Sequence, residues 1–316
     1  MNEFEIIKKC FAELTGGNKA ALGLTDDAAL IESDRTSDFV VTKDVLCEGT
    51  HFLKGTDAKL IASKLLRVNL SDLVAKGAKP YGYFLGLSIP RDTSDVWFIR
   101  FAAGLGQDIK IFGGDVLGGD TTSLPPKSNI VVSLTAIGKI TKGGMVKRSG
   151  ANHGDYLYVT GTIGDAYLGL LLLQGKIKTS DKRAEKYLIN RYNFPEPRVD
   201  FTENFNKIAS AAIDVSDGLI ADLQHICDVS KIAAEIDLNS IPLSKAARFV
   251  IDENKINVMD LLSGGDDYEI LFAASDNEKI TNATKIGQFI KGKPEVRVLS
   301  EGKRLKVAKN GYRHFC

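Results

Sequence analysis

Hydrophobic and polar positions recur along the chain with two different periods, and these periods predict its helices and strands. Apolar residues spaced three or four apart predict amphipathic helices, whereas short β-branched runs predict strands. In the first half these patterns predict helices over 1–14, 57–76 and 93–110 and strands over 39–46, 83–89 and 129–140. This mixed order predicts an α+β domain that ends near residue 145.

The second half begins as a new domain after the glycine-bearing connector at 142–151. A strand over 155–160 and a helix over 164–174 follow it. The remaining patterns predict helices over 181–192, 199–210, 219–229 and 244–252, and strands that end at 213, cover 234–238, follow Gly265, and cover 285–290 and 295–299. We therefore divide the chain into domains 1–145 and 146–316.

The composition is that of an ordinary globular protein, with 44% apolar and 26% charged residues among 316. A net charge of +1 gives no reason to expect nucleic acid or an anionic membrane as a partner. The most apolar run, 167–173, is far shorter than the roughly 20 residues that cross a membrane. Four scattered cysteines form no CxxC pair, which favours a reducing compartment, the cytoplasm, over a zinc or disulfide framework.

The sequence Gly-Gly-Asp occurs at 113–115, at 118–120 before Thr121 and Thr122, and again at 264–266. Glycines allow backbone N–H groups to turn toward an anion, and an adjacent aspartate can hold a divalent cation. The second copy therefore suggests a phosphate and a metal held side by side. A simple turn is the alternative for each copy.

Three further aspartates and one histidine each allow both a structural and a functional interpretation. Asp27 lies in a solvated turn, caps a helix or forms a metal corner. Asp44 interrupts a strand, where an unpaired carboxylate is costly, so it either sits at the strand end or meets a cation. Asp72 lies in the predicted helix over 57–76, where its neighbours Leu70, Leu73 and Val74 suggest a covered position, and it either faces water or has a role. His51 is either a hydrogen-bonded structural residue or a ligand.

Two loops of the second half could hold phosphate. Arg148 lies in a glycine-bounded loop and could grip a phosphate with two hydrogen bonds, or be a solvated cation. Ser216 or Asp217 is placed to cap the helix that follows, and free N–H groups at a helix N-terminus bind anions.

The acidic residues become informative when they are taken together. Six of them lie at predicted element ends: Asp27, Asp44, Asp72, Asp120, Asp214 and Asp217. An acidic pocket of this kind repels itself unless cations fill it, and Mg²⁺ binds through a few carboxylates plus substrate phosphates. Phosphoryl transfer relies mainly on positioning and charge neutralisation, so it suits such a pocket. The chain has neither GxxxxGK[ST] nor the HRD and DFG sequences of protein kinases.

The ordered series of motifs resembles the thiamine-monophosphate kinase family, within the aminoimidazole ribonucleotide synthetase-like superfamily of ATP-dependent enzymes. The matching segments run nearly end to end: GLTDD at 23–27, TKD at 42–44, GTHF at 49–52, NLSD at 69–72, GGDTT at 118–122, RSG at 148–150, IDVSDGL at 213–219, SGGDDYE at 263–269 and GYRHF at 311–315. His51 and the terminal Gly-Tyr-x-His-Phe point to this family, whereas several other motifs are shared across the superfamily.

The resemblance implies direct in-line phosphorylation of thiamine monophosphate to thiamine diphosphate by ATP with several Mg²⁺ ions, in thiamine diphosphate biosynthesis. It also implies the two-domain superfamily fold, with an α+β N-terminal domain that binds metal and ATP and forms a homodimer, and an α/β C-terminal domain that completes the site. Magnesium ligands by motif are Asp27, Thr42, Lys43, Asp44, Asp72, Asp120, Asp214 and Asp217. ATP contacts are Gly119, Asp120, Arg148 and Ser216, and the substrate contacts are His51, Asp266 and Tyr312. Asp44, Asp120 and Asp217 are the residues expected to be catalytic.

Three positions depart from the family pattern. The family usually has glycine where Thr25 stands, threonine where Lys43 stands, and glutamate where Asp266 stands. Lys43 preserves a metal contact made by a backbone carbonyl and loses one made by a hydroxyl, and its ammonium could instead meet a phosphate. Asp266 shortens the substrate-side carboxylate by one methylene.

Two other functions compete with the kinase reaction. One is a sister reaction of the superfamily, in which ATP activates an amide or carboxyl oxygen without preference for thiamine monophosphate. The other is a catalytically silent protein that binds nucleotide or metal. The intact carboxylates argue against the silent protein, because a chain without catalysis has no reason to keep such repulsion.

Overall fold

The computed structural model describes residues 7–20, 31, 35–275, 280–307 and 311. Two expected site residues, Asp27 and Tyr312, lie outside these ranges, as does Thr25. The chain folds into two compact units, one formed by Met1–Leu73 and Ala78–Met145 and the other by Val74–Gly77 and Val146–Cys316.

The first unit is built on a four-stranded sheet with two long helices. The strands follow the order β1-β4-β2-β3, in which only β2 and β3 are parallel. Their bounds are β1 Ser37–Cys47, β2 Lys79–Pro90, β3 Asp115–Leu124 and β4 Val131–Thr141, and the helices are α1 Ala58–Ala75 and α2 Asp95–Phe112. Near the start of the chain, Ile7–Phe11 and Ala12–Thr15 form short π and 3-10 turns where the pattern predicts one amphipathic helix.

Helices α1 and α2 pack closely because a glycine stands where they meet. A Cβ on Gly104 would lie 2.5 Å from the carbonyl oxygen of Lys59. Arg67 and Asp108 join the same two helices through a 2.7 Å ion pair whose carboxylate is almost fully buried.

Strand β1 has two different faces. Val40 and Leu46 are buried, whereas Val41 and Val45 are 61% and 43% exposed. The buried face is the one that α1 covers, since Leu73 of α1 lies against Gly138, the β4 partner of Val40. Alternation along the strand therefore places Thr42 and Asp44 on the α1 side and Lys43 on the opposite side.

The second unit is built on a seven-stranded mixed sheet with the order β11-β10-β7-β9-β5-β8-β6. Its strands are β5 Tyr156–Thr160, β6 Ala209–Asp214, β7 Ala233–Asp237, β8 Ile270–Ala274, β9 Ala283–Ile290, β10 Glu295–Ser300 and β11 Lys303–Leu305. The helices are α3 Asp165–Leu173, α4 Lys182–Asn193, α5 Phe205–Ile208, α6 Leu219–Ser230, α7 Lys245–Asn254 and α8 Val258–Leu261, with 3-10 turns at Val199–Thr202 and Leu238–Ser240. A core of aliphatic side chains from the central strands and α6 holds this unit together.

The prediction of a helix over 199–210 is wrong. That segment contains a 3-10 turn, the short helix α5 and the beginning of the edge strand β6. Ala209 is buried and pairs with Ala274 of β8, so tertiary packing overrides the helix propensity of alanine at this position.

Among the helices in the described ranges, none has the length and apolar character needed to cross a membrane. Three of the four cysteines fall in these ranges, and Cys10, Cys47 and Cys227 are free thiols.

Candidate functional site

The clearest acidic pair of the first unit joins strand β1 to helix α1. Thr42 donates a hydrogen bond from its hydroxyl to Asp72 over 2.5 Å. Asp44 is on the same strand face, two residues further on. Burial, followed by the repulsion of Asp72, raises the pKa of Asp44 to about 7. The strand aspartate and the helix aspartate therefore repel each other electrostatically.

This arrangement fits a magnesium ion. Two carboxylates and a hydroxyl are hard oxygen donors, and a divalent cation beside them would offset the repulsion between Asp44 and Asp72. In the part of the chain that the structure describes, no three His, Cys, Asp or Glu side chains form a group that could hold an ion alone. The described protein ligands would therefore leave coordination positions to water and substrate phosphates, as Mg²⁺ prefers.

Lys43 does not join this group through its side chain. The side chain is exposed, and its Nζ lies 3.4 Å from the hydroxyl of Ser133 on β4. Since Thr42 and Asp44 point to the other face of β1, only the backbone of Lys43 could serve the same ion.

His51 is fixed in a tight turn that follows β1. Its Nδ1 accepts a hydrogen bond from the backbone N–H of Cys47 at 3.0 Å. Its carbonyl accepts one from the buried ammonium of Lys64 on α1, at 3.1 Å. Gly49 makes this turn possible with a φ of 86°, in the left-handed region that favours glycine. The neutral imidazole therefore carries its proton on Nε2 and can donate from that atom.

The three Gly-Gly-Asp sequences have three different structures. The first is a turn, in which Gly113 and Gly114 have φ values of 84° and 81°. The Tyr83 hydroxyl donates to the Gly113 carbonyl at 2.8 Å, and the Asp115 carboxylate accepts from the Asn18 amide at 2.9 Å. This copy is structural, as the turn alternative predicts.

The second copy lies within the edge strand β3, where a phosphate-binding turn was one expectation. Gly119 and Asp120 pair with Leu85 and Gly86 of β2. A Cβ on Gly119 would collide with the carbonyl oxygen of Leu85, so the close approach of the two backbones requires glycine here. Asp120 is exposed on this edge and available to a ligand.

The third copy begins a bend in which the acidic residues Asp266, Asp267 and Glu269 make different contacts. Asp267 is buried and accepts hydrogen bonds from the N–H groups of Gly164 and Ala166, at 2.7 and 3.3 Å, so it caps helix α3. Glu269 is buried and binds two arginines. Asp266 has a positive φ of 70° and donates its backbone N–H to the Ser216 carbonyl at 2.8 Å.

The Asp266 hydrogen bond brings together two segments that the resemblance assigns to substrate and to ATP. Ser216 and Asp217 lie in the short loop between the end of β6 at Asp214 and the start of α6 at Leu219. The sequence predicted that Ser216 or Asp217 caps α6, and this prediction is wrong. The residue at the N-cap is Gly218, which has a φ of 119°. Nor are the backbone N–H groups here free. Those of Ser216, Asp217 and Gly218 all donate to the carboxylate of Asp222, at 3.0, 3.0 and 3.1 Å.

The other predicted residues of the second unit differ in exposure. Asp214 is buried at the end of β6, and Arg148 is exposed in the connector. The carbonyl of Arg148 accepts from the Ser230 hydroxyl at 3.4 Å, which ties its loop to the end of α6. Gly311 lies against the Asp217 carbonyl, so the terminal motif begins beside the loop after β6.

Sequence reasoning missed the residues that support these loops, namely Lys64, Asp222, Asp267 and Glu269. Each has an ionisable side chain with 2% exposure or less. A charged residue among apolar neighbours was the available signal, since Lys64 precedes Leu65 and Leu66, and Asp222 precedes Leu223. Burying such groups without partners is costly, so the signal predicts a partner without identifying it.

Two family models match the chain in order. Residues 25–140 match the N-terminal domain of AIR synthase related protein, and residues 152–299 match its C-terminal domain. Thiamine-monophosphate kinase of Caulobacter vibrioides is 39% identical over 325 residues, which cover 99% of this chain and 90% of the relative. That of Escherichia coli K12 is 35% identical and covers 99% and 98%. The chain belongs to the thiamine-monophosphate kinase family.

Solved structures agree with this membership. The thiamine-monophosphate kinase of Stenotrophomonas maltophilia superposes with a TM-score of 0.83 at 34% identity, covering 96% of this chain and 98% of that one. AaThiL complexed with AMPPCP and TMP gives 0.81 at 30% identity, with 99% and 97% covered. The hydrogenase maturation protein HypE shares the fold, with a TM-score of 0.77 at 16% identity. The two-domain AIR synthase-like architecture is thus common to this thiamine-monophosphate kinase family member and to more distant proteins.

Proposed function

We propose that this member of the family phosphorylates thiamine monophosphate with ATP in the biosynthesis of thiamine diphosphate. The observation that carries the proposal is the likeness, over nearly the whole of both chains, to a kinase structure that contains AMPPCP and TMP. AMPPCP is an ATP analogue, and TMP supplies the acceptor phosphate. An oxygen of that phosphate attacks the γ-phosphorus of ATP, the bond from the γ-phosphorus to the bridging oxygen breaks, and ADP leaves.

Mg²⁺ is the metal we assign to the reaction, with Thr42, Asp44 and Asp72 as its described core of ligands. Bound there, the ion would neutralise phosphate charge during transfer. The chain's own contribution is to hold carboxylate oxygens in place: β1 fixes Asp44, α1 fixes Asp72, and the Thr42 hydroxyl orients Asp72. The proposed set also includes Asp27, Asp120, Asp214, Asp217 and the backbone of Lys43.

Gly119, Asp120, Arg148 and Ser216 are the proposed contacts to ATP. A guanidinium suits phosphate because its planar fork donates two parallel hydrogen bonds, and Arg148 is exposed and available for that purpose. Asp120 is proposed to contact both the metal and ATP. Its carboxylate is exposed, and it follows Gly119, where the backbones of β2 and β3 approach too closely for a side chain.

His51, Asp266 and Tyr312 are the proposed contacts to thiamine monophosphate. The hydrogen bond from Cys47 leaves His51 as an Nε2 donor, which suits a phosphate oxygen. Asp266 is held by its backbone bond to Ser216 and by its left-handed conformation. The direct in-line mechanism assigns no covalent role to any of these side chains; Asp44, Asp120 and Asp217 act through charge and position.

A homodimer through the first unit is part of the proposal. Val41, Lys43 and Val45 form an exposed row on the face of β1 away from α1. Two exposed valines on an edge strand are what a second copy of the sheet could cover. Light scattering of the purified protein and of Val41→Asp tests this, with the dimer mass expected only for the unmodified chain. A cytoplasmic location is proposed from the four scattered cysteines, which form no CxxC pair.

The direct test is an assay with Mg²⁺, ATP and thiamine monophosphate, in which thiamine diphosphate is separated by chromatography. We expect one thiamine diphosphate for each ADP, and no ADP above background when thiamine monophosphate is omitted. Asp120→Asn should lower kcat by orders of magnitude while the circular dichroism spectrum is unchanged. A folded protein that binds ATP and makes no thiamine diphosphate would contradict the proposed reaction, and near-normal turnover by Asp120→Asn would contradict the proposed site.

A further inference from the structure

The carboxylate of Asp222 is placed as an anion would be in a backbone nest. Asp222 lies in the first turn of α6 and is 2% exposed. One of its oxygens, Oδ2, accepts hydrogen bonds from three consecutive backbone N–H groups, those of Ser216, Asp217 and Gly218. Consecutive N–H groups that converge in this way form an anion site, and here the chain's own carboxylate fills it.

The same loop is held from its other side by the segment 266–269. The Tyr268 N–H donates to the Val215 carbonyl at 2.7 Å, and the Val215 N–H donates to the Glu269 carbonyl at 2.8 Å. The Asp266 N–H donates to the Ser216 carbonyl. Val215 and the Ser216 carbonyl are therefore bonded to the segment 266–269, and the N–H groups of Ser216, Asp217 and Gly218 are bonded to Asp222.

Two glycines show how tightly the loop is enclosed. A Cβ on Gly265 would collide with the Ser216 carbonyl oxygen, and one on Gly218 would lie 2.9 Å from the backbone of Ser263. A loop enclosed in this way has little freedom to reshape around a ligand. Its side chains must therefore already have the ligand-binding orientation before the ligand binds.

We propose that Asp222 is a positioning residue that holds Ser216 and Asp217 in the conformation that binds Mg·ATP. This inference deepens the proposed function and rests on its assignment of those two residues. It has a chemical consequence: since Asp222 takes the three N–H groups, the loop meets the nucleotide and its metal through side chains and not through backbone donors. Asp222 itself touches neither ligand.

A purely structural role as a helix cap is the competing explanation. A cap that only stabilises α6 would affect thermal stability and leave the affinity for Mg·ATP in the remaining folded protein unchanged. A positioning residue affects that affinity in the folded protein. The two explanations therefore separate in the ligand-binding data.

The test compares Asp222→Asn and Asp222→Ala with the unmodified protein and with Asp228→Asn. Asp228 is a matched control, because it is an exposed aspartate on the same helix that accepts a hydrogen bond from Gln224 at 2.8 Å. Amide hydrogen exchange of Ser216, Asp217 and Gly218 is followed by NMR without ligand. Binding of Mg·ATP is measured by calorimetry without thiamine monophosphate, and KM and kcat are measured separately.

We expect a graded series, because asparagine keeps an acceptor oxygen and loses the charge that strengthens the bonds, whereas alanine removes both. Asp222→Ala should speed exchange of the three amides and weaken Mg·ATP binding by about tenfold or more, with Asp222→Asn between it and the unmodified protein. Asp228→Asn should match the unmodified protein. The KM for Mg·ATP should rise more than the KM for thiamine monophosphate, since Asp222 bonds directly to the loop assigned to ATP.

Unchanged Mg·ATP affinity in a folded Asp222→Ala protein, or equal losses in Asp228→Asn, would overturn the inference. If Asp222→Ala does not fold, the comparison of Asp222→Asn with Asp228→Asn decides in the same way. A protein that shows the graded loss of Mg·ATP binding and yields no thiamine diphosphate would contradict the proposed reaction and leave the role of Asp222 supported.

Discussion

Arg191 donates a hydrogen bond from Nη2 to Oε1 of Glu269 at 2.8 Å, and the two side chains are 7% and 0% exposed. Arg198 binds the same carboxylate, with its Nε 2.6 Å from Oε2, and the Thr160 hydroxyl donates to Oε2 at 2.6 Å. Glu269 ends the motif that carries Asp266, so one buried carboxylate anchors both the segment after α4 and the bend that bears a proposed substrate contact.

Replacing Glu269 with glutamine should destabilise the protein by about 3–5 kcal/mol. The reason is that Arg191, which is buried, and Arg198 would lose the negative charge that both now contact. Urea unfolding of Glu269→Gln measures this loss. Glu196→Gln is the control, because Glu196 is 61% exposed and lies 3.5 Å from each of the same two arginines. A loss of similar size in both variants would contradict the importance of the buried contact.

Asp44→Asn should stabilise the protein when Mg²⁺ is absent and remove most of the stabilisation that Mg²⁺ provides. Without metal, the substitution removes a buried charge that Asp72 repels. With metal, it removes a ligand and with it the coupling between binding and folding. Thermal denaturation with chelator and with excess Mg²⁺ gives the four melting temperatures needed. Equal Mg²⁺ responses in the two proteins would exclude Asp44 from the metal site.

Lys43→Ala should leave Mg²⁺-dependent turnover within about threefold of the unmodified protein, since any contact by the backbone survives the loss of a side chain on the opposite strand face. Thr42→Val is the informative comparison and should lower turnover more, because it removes the hydroxyl that bonds Asp72. The initial rate as a function of Mg²⁺ concentration measures both. A large loss in Lys43→Ala would show that the ammonium itself contacts a ligand.

The stability of the protein should depend on pH through Asp267. Burial raises the pKa of Asp267 well above the ordinary 3.8, although the N–H groups of Gly164 and Ala166 oppose the shift. The folded chain therefore holds this proton more tightly than the unfolded chain. The contribution of Asp267 is most favourable at low pH and declines as pH rises above the unfolded value toward the raised folded value.

Asp267→Asn should flatten this decline, because asparagine does not ionise and its oxygen can still accept from the cap of α3. Urea unfolding at several values between about pH 4 and pH 8, compared with Asp228→Asn, isolates the contribution. A pH profile for Asp267→Asn that runs parallel to that of the unmodified protein would show that this carboxyl does not titrate in the expected range.

The sequence by itself determined most elements and the family. The β-branched run at 39–46 forms β1, and the helical spacing at 57–76 forms α1, because strong local periodicity matches the packing of each. The order of the acidic motifs indicated the family that the comparisons then confirmed. Asp72 is near enough to Asp44 to raise its pKa, and a common metal-binding role for the two carboxylates stays a prediction.

Only the tertiary structure decided what each copy of a repeated motif does. Gly113 and Gly114 form a turn that leads into β3 at Asp115, whereas all three residues of Gly118–Asp120 pair with β2, although the two sequences are identical. Only the end of the segment 199–210 enters the sheet, where Ala209 begins β6 and pairs with Ala274 of β8. The amides of Ser216 to Gly218 meet Asp222, and Glu269 meets Arg191 78 positions away. Such contacts arise from packing between segments that are distant in sequence. Local sequence patterns therefore do not identify the partner of a buried charged residue.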